Sequence, residues 1–196
     1  IAYANKTGII TGTTTGLFNP DGSVTGTQAA KMLLCALGYD AAAETYTGAN
    51  WSVNVLADAK DAGLLKGLAK VDMSAALSRE AAAQMMFNAL KATMVEYDRG
   101  NTTIINGDTS VIIGGSSAKE VANNDSSYKT SDKVNDDFKG TMQLCEKYFE
   151  DLKLNDGDPD AFGRPGHAWY NGKINDDNKI GTYADEPTFT YTADVS

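Results

Sequence analysis

Histidine is almost missing from this chain: His167 is the single one in 196 residues. A catalytic imidazole needs a nucleophile or carboxylate within hydrogen-bond reach. The Gly/Pro-rich stretch around His167, with Arg164 and Trp169 as neighbours, carries no local signature of one, so we read His167 as structural. Cysteine is nearly as scarce. Cys35 and Cys145 are the two present, too few for a disulfide scaffold and without metal-ligand spacing, so both read as small apolar side chains on helices. No apolar run approaches the ~20 residues that span a bilayer. Positive charge is in deficit, with 17 Lys and Arg against 26 Asp and Glu and a net charge of −9. That leaves no basic stripe for phosphates and argues against a nucleic-acid partner. An anionic polymer gripped by one Arg or Lys in a pocket remains compatible with it.

The acidic residues do not assemble a recognisable site either. Asp156, Asp158 and Asp160 alternate like the opening of a calcium loop. The glycine expected at the sixth position is Ala161, however, and no glutamate stands at the twelfth. Asn175-Asp176-Asp177-Asn178 is a second acidic turn, and both read as solvated turns. No catalytic residue, metal site or cofactor is assigned.

What the chain does contain is a pattern stated twice. Gly8-Ile9-Ile10-Thr11-Gly12 is followed by a Gly/Pro/Asp-rich turn and a helix opening at Thr25. Gly63-Leu64-Leu65-Lys66-Gly67 is followed by a loop and a helix opening at Ser78. The glycine elements are offset by 55 residues and the helices by 53, so the second connecting loop is two residues shorter. A unit that cannot bury its own apolar face packs on its neighbour. Thr25 and Gln28 have capping-box spacing. Ala30, Leu33, Leu34 and Leu37 form a helical stripe, echoed by Ala82, Met85, Met86, Ala89 and Leu90. Gly8, Gly12, Gly63 and Gly67 suit helix ends with positive φ. The expectation is a small helical bundle.

These spaced elements resemble the S-layer homology family, modules that hold proteins to the cell walls of Gram-positive and related bacteria. Trp51 stands where the first-helix Trp of the second repeat belongs, Gly16-Leu17-Phe18-Asn19-Pro20-Asp21-Gly22 fills the turn of the first, and Leu37-Gly38-Tyr39 resembles the family's helix ending. The likeness covers Ile1 to about Thr93. It implies an extracellular, cell-wall location on a clostridial-type surface protein. It also implies a binding module without catalysis for pyruvylated secondary cell-wall polysaccharide. In the family a Thr-Arg-Ala-Glu segment opens the second helix of each repeat, and its Arg pairs with a ligand carboxylate. The matching residues are Thr25, Gly26, Thr27 and Gln28 in the first repeat, and Ser78, Arg79, Glu80 and Ala81 in the second. The first copy keeps the cap and lacks the Arg; the second keeps Arg79 and has Ala81 at the acidic position. The implied ligand residues are Arg79, Ser78, Glu80, Thr25, Gln28 and Trp51. The alternative is a structural or assembly module of a surface layer, self-associating and without glycan affinity. The chain reads as a piece of a longer exported protein, because the first repeat begins partway through a helix.

Beyond about residue 96 the pattern changes. Thr102–Ile105 and Ser110–Ile113 are β-branched runs around Asn106-Gly107-Asp108, a hairpin signal. Residues 114–135 read as a loop. Phe138, Met142, Cys145, Phe149 and Leu152 share one face of a helix expected over 136–154. The stretch Phe162–Trp169 leads to Ile180–Tyr183, and the tail Phe189–Tyr191 alternates like a strand. Phe162-Gly163-Arg164-Pro165 and Gly181-Thr182-Tyr183-Ala184 resemble segments of S-layer homology proteins of gut clostridia, which implies location and no chemistry. The fold class is therefore α+β: an N-terminal helical bundle of two repeats (1–95), then a small α+β region (96–196) with a hairpin, a helix and C-terminal strands.

Overall fold

Helix α1 (Gly26–Leu37) starts where the sequence says it should. The Thr25 Oγ1 accepts the Gln28 N–H at 3.3 Å and the Gln28 Oε1 accepts the Thr25 N–H at 3.0 Å, which completes the capping box. It ends at Gly38, whose φ of 107° closes the helix in the left-handed region. The Gly38 N–H reaches the Cys35 carbonyl and the Tyr39 N–H reaches Leu34, so two otherwise orphaned carbonyls are satisfied. Helix α2 (Trp51–Asp61) ends the same way at Gly63, φ 75°, with Leu64 N–H on Ala59. Helix α3 (Arg79–Lys91) is capped by Ser78, whose Oγ accepts the Ala81 N–H at 3.1 Å. In this computed structural model the described residues are 4–5, 9–10, 19–97, 103–106, 109–112, 117–122, 141–149, 151–157 and 159–184. Gly8, Gly12, the 16–18 part of the first turn, Phe138, Asp158 and Phe189–Tyr191 lie outside them.

The chain forms two compact units, residues 1–122 with 141–144, and residues 123–140 with 145–196. In the first, α1 packs against α2 and α3. Ala30, Leu34 and Leu37 of α1, Val55 and Ala59 of α2, and Met85 and Ala89 of α3 are all buried, as is Leu64. Three of the four expected α1 positions, Ala30, Leu34 and Leu37, are buried as expected, and the α3 stripe is rotated. On α1, Lys31 is buried and Leu33 is half-buried. On α3 the inward face is Ala81, Met85, Asn88 and Ala89, while Met86 is 54% exposed. Asn88 is accommodated because its Nδ2 donates to the carbonyls of Leu64 (2.9 Å) and Lys66 (2.8 Å). Its Oδ1 also accepts from Gln84, so the buried amide carries no unmet hydrogen-bonding group there.

After α3 the backbone turns extended and builds a closed triangle. Strand β1 (Val95–Tyr97) pairs antiparallel with β4 (Ala118–Glu120), in register Val95 with Glu120. Met94 N–H donates to the Met142 carbonyl (2.7 Å), Met142 N–H to Val121 (2.9 Å), and Val121 N–H to Met94 (2.9 Å). All three side chains are buried at the centre. This arrangement overturns the helix expected over 136–154. Thr141–Gln143 is extended because hydrogen bonds from both neighbouring segments hold it so, and the only helical piece among the described residues there is α4 (Leu144–Tyr148). The hairpin is present: β2 (Thr103–Asn106) and β3 (Thr109–Ile112) pair antiparallel, with Asn106 opposite Thr109, a two-residue connection.

The second unit contains an antiparallel meander of β5 (Leu152–Gly157), β6 (Gly166–Asn171) and β7 (Lys179–Ala184), with β6 in the middle. Gly166 to Tyr170 are all buried. His167 is therefore a strand residue, 4% exposed, rather than part of a turn. Its ring stacks on Tyr183 of β7 at 4.8 Å between centroids, a pairing between opposed residues of the ladder.

Candidate functional site

The chain entering α1 and the chain entering α3 run antiparallel and are tied together. Leu77 N–H donates to the Val24 carbonyl at 2.9 Å, Gly26 N–H to Ala75 at 3.3 Å and Thr27 N–H to Met73 at 2.8 Å, with Thr25 bridged to Ala76. The Thr27 hydroxyl adds a bond to the Met73 carbonyl at 2.9 Å. Two helix starts, capped by Thr25 and Ser78, are thus held on paired segments, and on α1 the N–H groups of Gly26, Thr27 and Gln28 are already spent on Ala75, Met73 and the Thr25 hydroxyl.

The first turns differ in which side they bury. On α1, Gly26 and Thr27 are buried and Gln28 is exposed; on α3, Arg79 and Glu80 are exposed and Ala81 is buried. A Cβ on Gly26 would lie 2.9 Å from the Met73 Cα and 2.6 Å from its sulfur. The first turn of α1 therefore has no room for an arginine, and that of α3 does. Ala81 takes the inward position on α3, where a glutamate would be buried. The capping residues Thr25, Gln28 and Ser78 spend their side-chain oxygens on backbone amides.

Trp51, the first residue of α2, is half-buried and stands beside Lys31 of α1. The Lys31 Nζ lies 6.0 Å from the Trp51 ring centroid and donates to the Tyr46 carbonyl at 3.0 Å. No spacing rule flags Lys31, because a lysine inside an apolar stripe ordinarily snorkels outward. Two tyrosines of this unit donate to carboxylates. Tyr46 donates to Asp58 at 2.7 Å, and burial, then that bond, raises its hydroxyl well above the ordinary range. Tyr97 donates to Glu44 at 2.7 Å and accepts the Asp40 N–H at 3.1 Å, and burial again is the main cause of its raised hydroxyl.

The remaining candidates hold structure. Asp160 accepts the N–H groups of Phe162 and Arg164, both at 2.9 Å, and pairs with the Arg164 guanidinium. The Arg164 bonds hold its carboxyl below the usual range, so it closes the turn before β6. Asp176 and Asp177 are exposed in a turn capped by Asn175. Cys35 and Cys145 are both free thiols. Burial, then the charge of Glu146, pushes the Cys145 thiol up to about 12, the behaviour of an inert core cysteine. Among the described residues no group of three or more His, Cys, Asp or Glu could hold a metal ion, and no helix is long and apolar enough to cross a membrane.

Residues 1–30, which include the capping box of α1, match a family model. It is the S-layer homology domain. Domains of that family are non-catalytic modules that anchor surface proteins to the cell wall and bind its polysaccharide. The match thus supports an S-layer homology segment at the start of the chain and a cell-surface setting for it. No curated protein and no solved structure matches the chain.

Proposed function

We propose that this chain is a non-catalytic extracellular module that fixes a longer exported protein to a Gram-positive cell wall by binding secondary cell-wall polysaccharide. The observation that carries the reading is the S-layer homology match over residues 1–30. The second copy of the pattern, ending in α2 and α3, is read as a further degenerate repeat within 1–95, and Arg79 as its ligand cation. A cation in the first turn of a helix works against the helix dipole by roughly 0.3–1 kcal/mol. A bound carboxylate reverses that sign, since guanidinium and amide donors then converge on one anion. Pyruvyl ketals and uronic acids both present such a carboxylate. Ser78 and Thr25 order the two helix starts, Glu80 and Gln28 flank them, and Trp51 offers an aromatic face to a sugar ring.

The purified chain is expected to sediment with wall sacculi and to stay in solution with sacculi stripped of secondary polysaccharide. Equal recovery in both pellets, or in neither, counts against the reading. A second reading, a surface-layer scaffold without glycan affinity, draws support from the glycine at position 26, which leaves the first helix start without an arginine. It predicts self-association by light scattering and no wall-dependent sedimentation.

A further inference from the structure

We infer that Lys31 is a positioning residue: its buried ammonium on α1 fixes the start of α2 and thereby the ring of Trp51. The residue is 9% exposed on a helix face where its neighbours Ala30, Leu34 and Leu37 are apolar and buried. A cation is costly to bury in such a place unless its contacts replace water. Two of them are the Tyr46 carbonyl at 3.0 Å and the face of Trp51 at 6.0 Å. Tyr46 belongs to the segment that leads into α2, and Trp51 is the first residue of that helix. Thr47, Gly48, Ala49 and Asn50 between them are exposed, and Gly48 sits at φ 81°. Asn50 makes no side-chain cap to α2. The start of α2 thus lacks the hydroxyl cap of α1 and α3; the Asn50 carbonyl accepts the Val53 and Asn54 N–H groups, and Lys31 reaches the segment from α1. Tyr46 is itself tied to α2 through its hydroxyl on Asp58, and Asn54 of α2 donates to the Thr45 carbonyl and hydroxyl. The ammonium thus adds a polar tie from α1 to the apolar packing of the two helices, and its charge faces the ring it orients, as a cation–π pair requires.

The consequence for wall binding rests on the function proposed above; the placement of Trp51 does not. The test uses the full chain carrying Trp169→Phe, so that Trp51 is the sole tryptophan, and reads its emission maximum and acrylamide quenching beside far-UV circular dichroism. In Lys31→Met, close in length and uncharged, emission moves to the red and the quenching constant rises about twofold as the ring loses its cation. Lys31→Arg returns both toward the parent values. A folded Lys31→Met with unchanged emission and quenching overturns the inference, and so do equal values for the Met and Arg variants, which would make side-chain shape the cause. If Lys31→Met does not fold, Lys31→Gln is read against the same two outcomes. Sedimentation with sacculi is measured alongside. A parent chain that fails to sediment removes the binding proposal while the fluorescence result still decides the role of Lys31.

Discussion

Helices α1 and α3 open with nearly the same backbone, Thr25 at φ −79°, ψ 161° and Ser78 at φ −70°, ψ 158°, and then turn opposite sides of their first turns inward. On α1 the first two residues are pressed against the Met73 loop; on α3 they face solvent. Glycine at 26 follows from the first placement, and the second leaves room for the Arg79 side chain. The lesson is that two helix starts can share a cap geometry while the neighbouring loop decides which first turn has room for a long side chain. The ends of the two helices diverge as well. Gly38 closes α1 in the left-handed region, and Ala92 leaves α3 in an extended conformation toward β1.

The largest effect is expected where that comparison is most constrained, at Gly38. Its φ of 107° disfavours any side chain, and a Cβ there would overlap the Val95 carbonyl oxygen. Gly38→Ala is expected to lose about 3 kcal/mol or more in urea unfolding. Ala92→Gly, at the matching end of α3, is expected to lose well under half of that. Comparable losses would mean that the two helix ends are not as different as described.

Gly26→Arg comes next, because it rewrites the first helix start as a copy of the second. With Met73 Cα 2.9 Å from the added Cβ, the substitution is expected to destabilise by about 1–3 kcal/mol and to add no wall affinity. A variant of parental stability that sediments more completely would show that the missing arginine has no steric cause.

The caps give the smallest differences. Thr25→Ala removes one half of a reciprocal pair and Ser78→Ala a single bond, so losses of about 1 kcal/mol are expected, with Thr25 the larger. A larger loss at Ser78 would reverse the comparison.

Local signals were the legible part of this fold. The Thr25–Gln28 box, the left-handed Gly63 and Gly67, and the 103–112 hairpin each depend on a few adjacent residues, and each is present. The buried faces of the helices were less legible. Alanine-rich helices offer several stripes of similar hydropathy, and the choice between them rests on partners far along the chain. Lys31 turns inward because the Tyr46 carbonyl waits for it, and Asn88 because Leu64 and Lys66 do. Met142 fits a helical period with Cys145 and Phe149, yet its backbone bonds to Met94 and Val121 pull it into the strand triangle. His167 sits between Gly/Pro-rich flanks that suggest a turn, and becomes the second residue of a central strand because β5 and β7 pair on both sides. Of the candidate site, the family resemblance marked Arg79, Ser78, Glu80, Thr25, Gln28 and Trp51. It gave no sign that Lys31 stands beside Trp51, since nothing in the spacing of 31 and 51 relates them.

The most direct test of wall anchoring through the start of α3 is a sacculus sedimentation isotherm for Arg79→Ala beside Lys70→Ala, which removes the same charge from an exposed loop position. Loss of one charge-assisted contact predicts at least a roughly tenfold weaker isotherm for Arg79→Ala, with unfolding midpoints unchanged and Lys70→Ala close to the parent. Superimposable isotherms for the parent and both variants would contradict the assignment of Arg79 as the ligand cation.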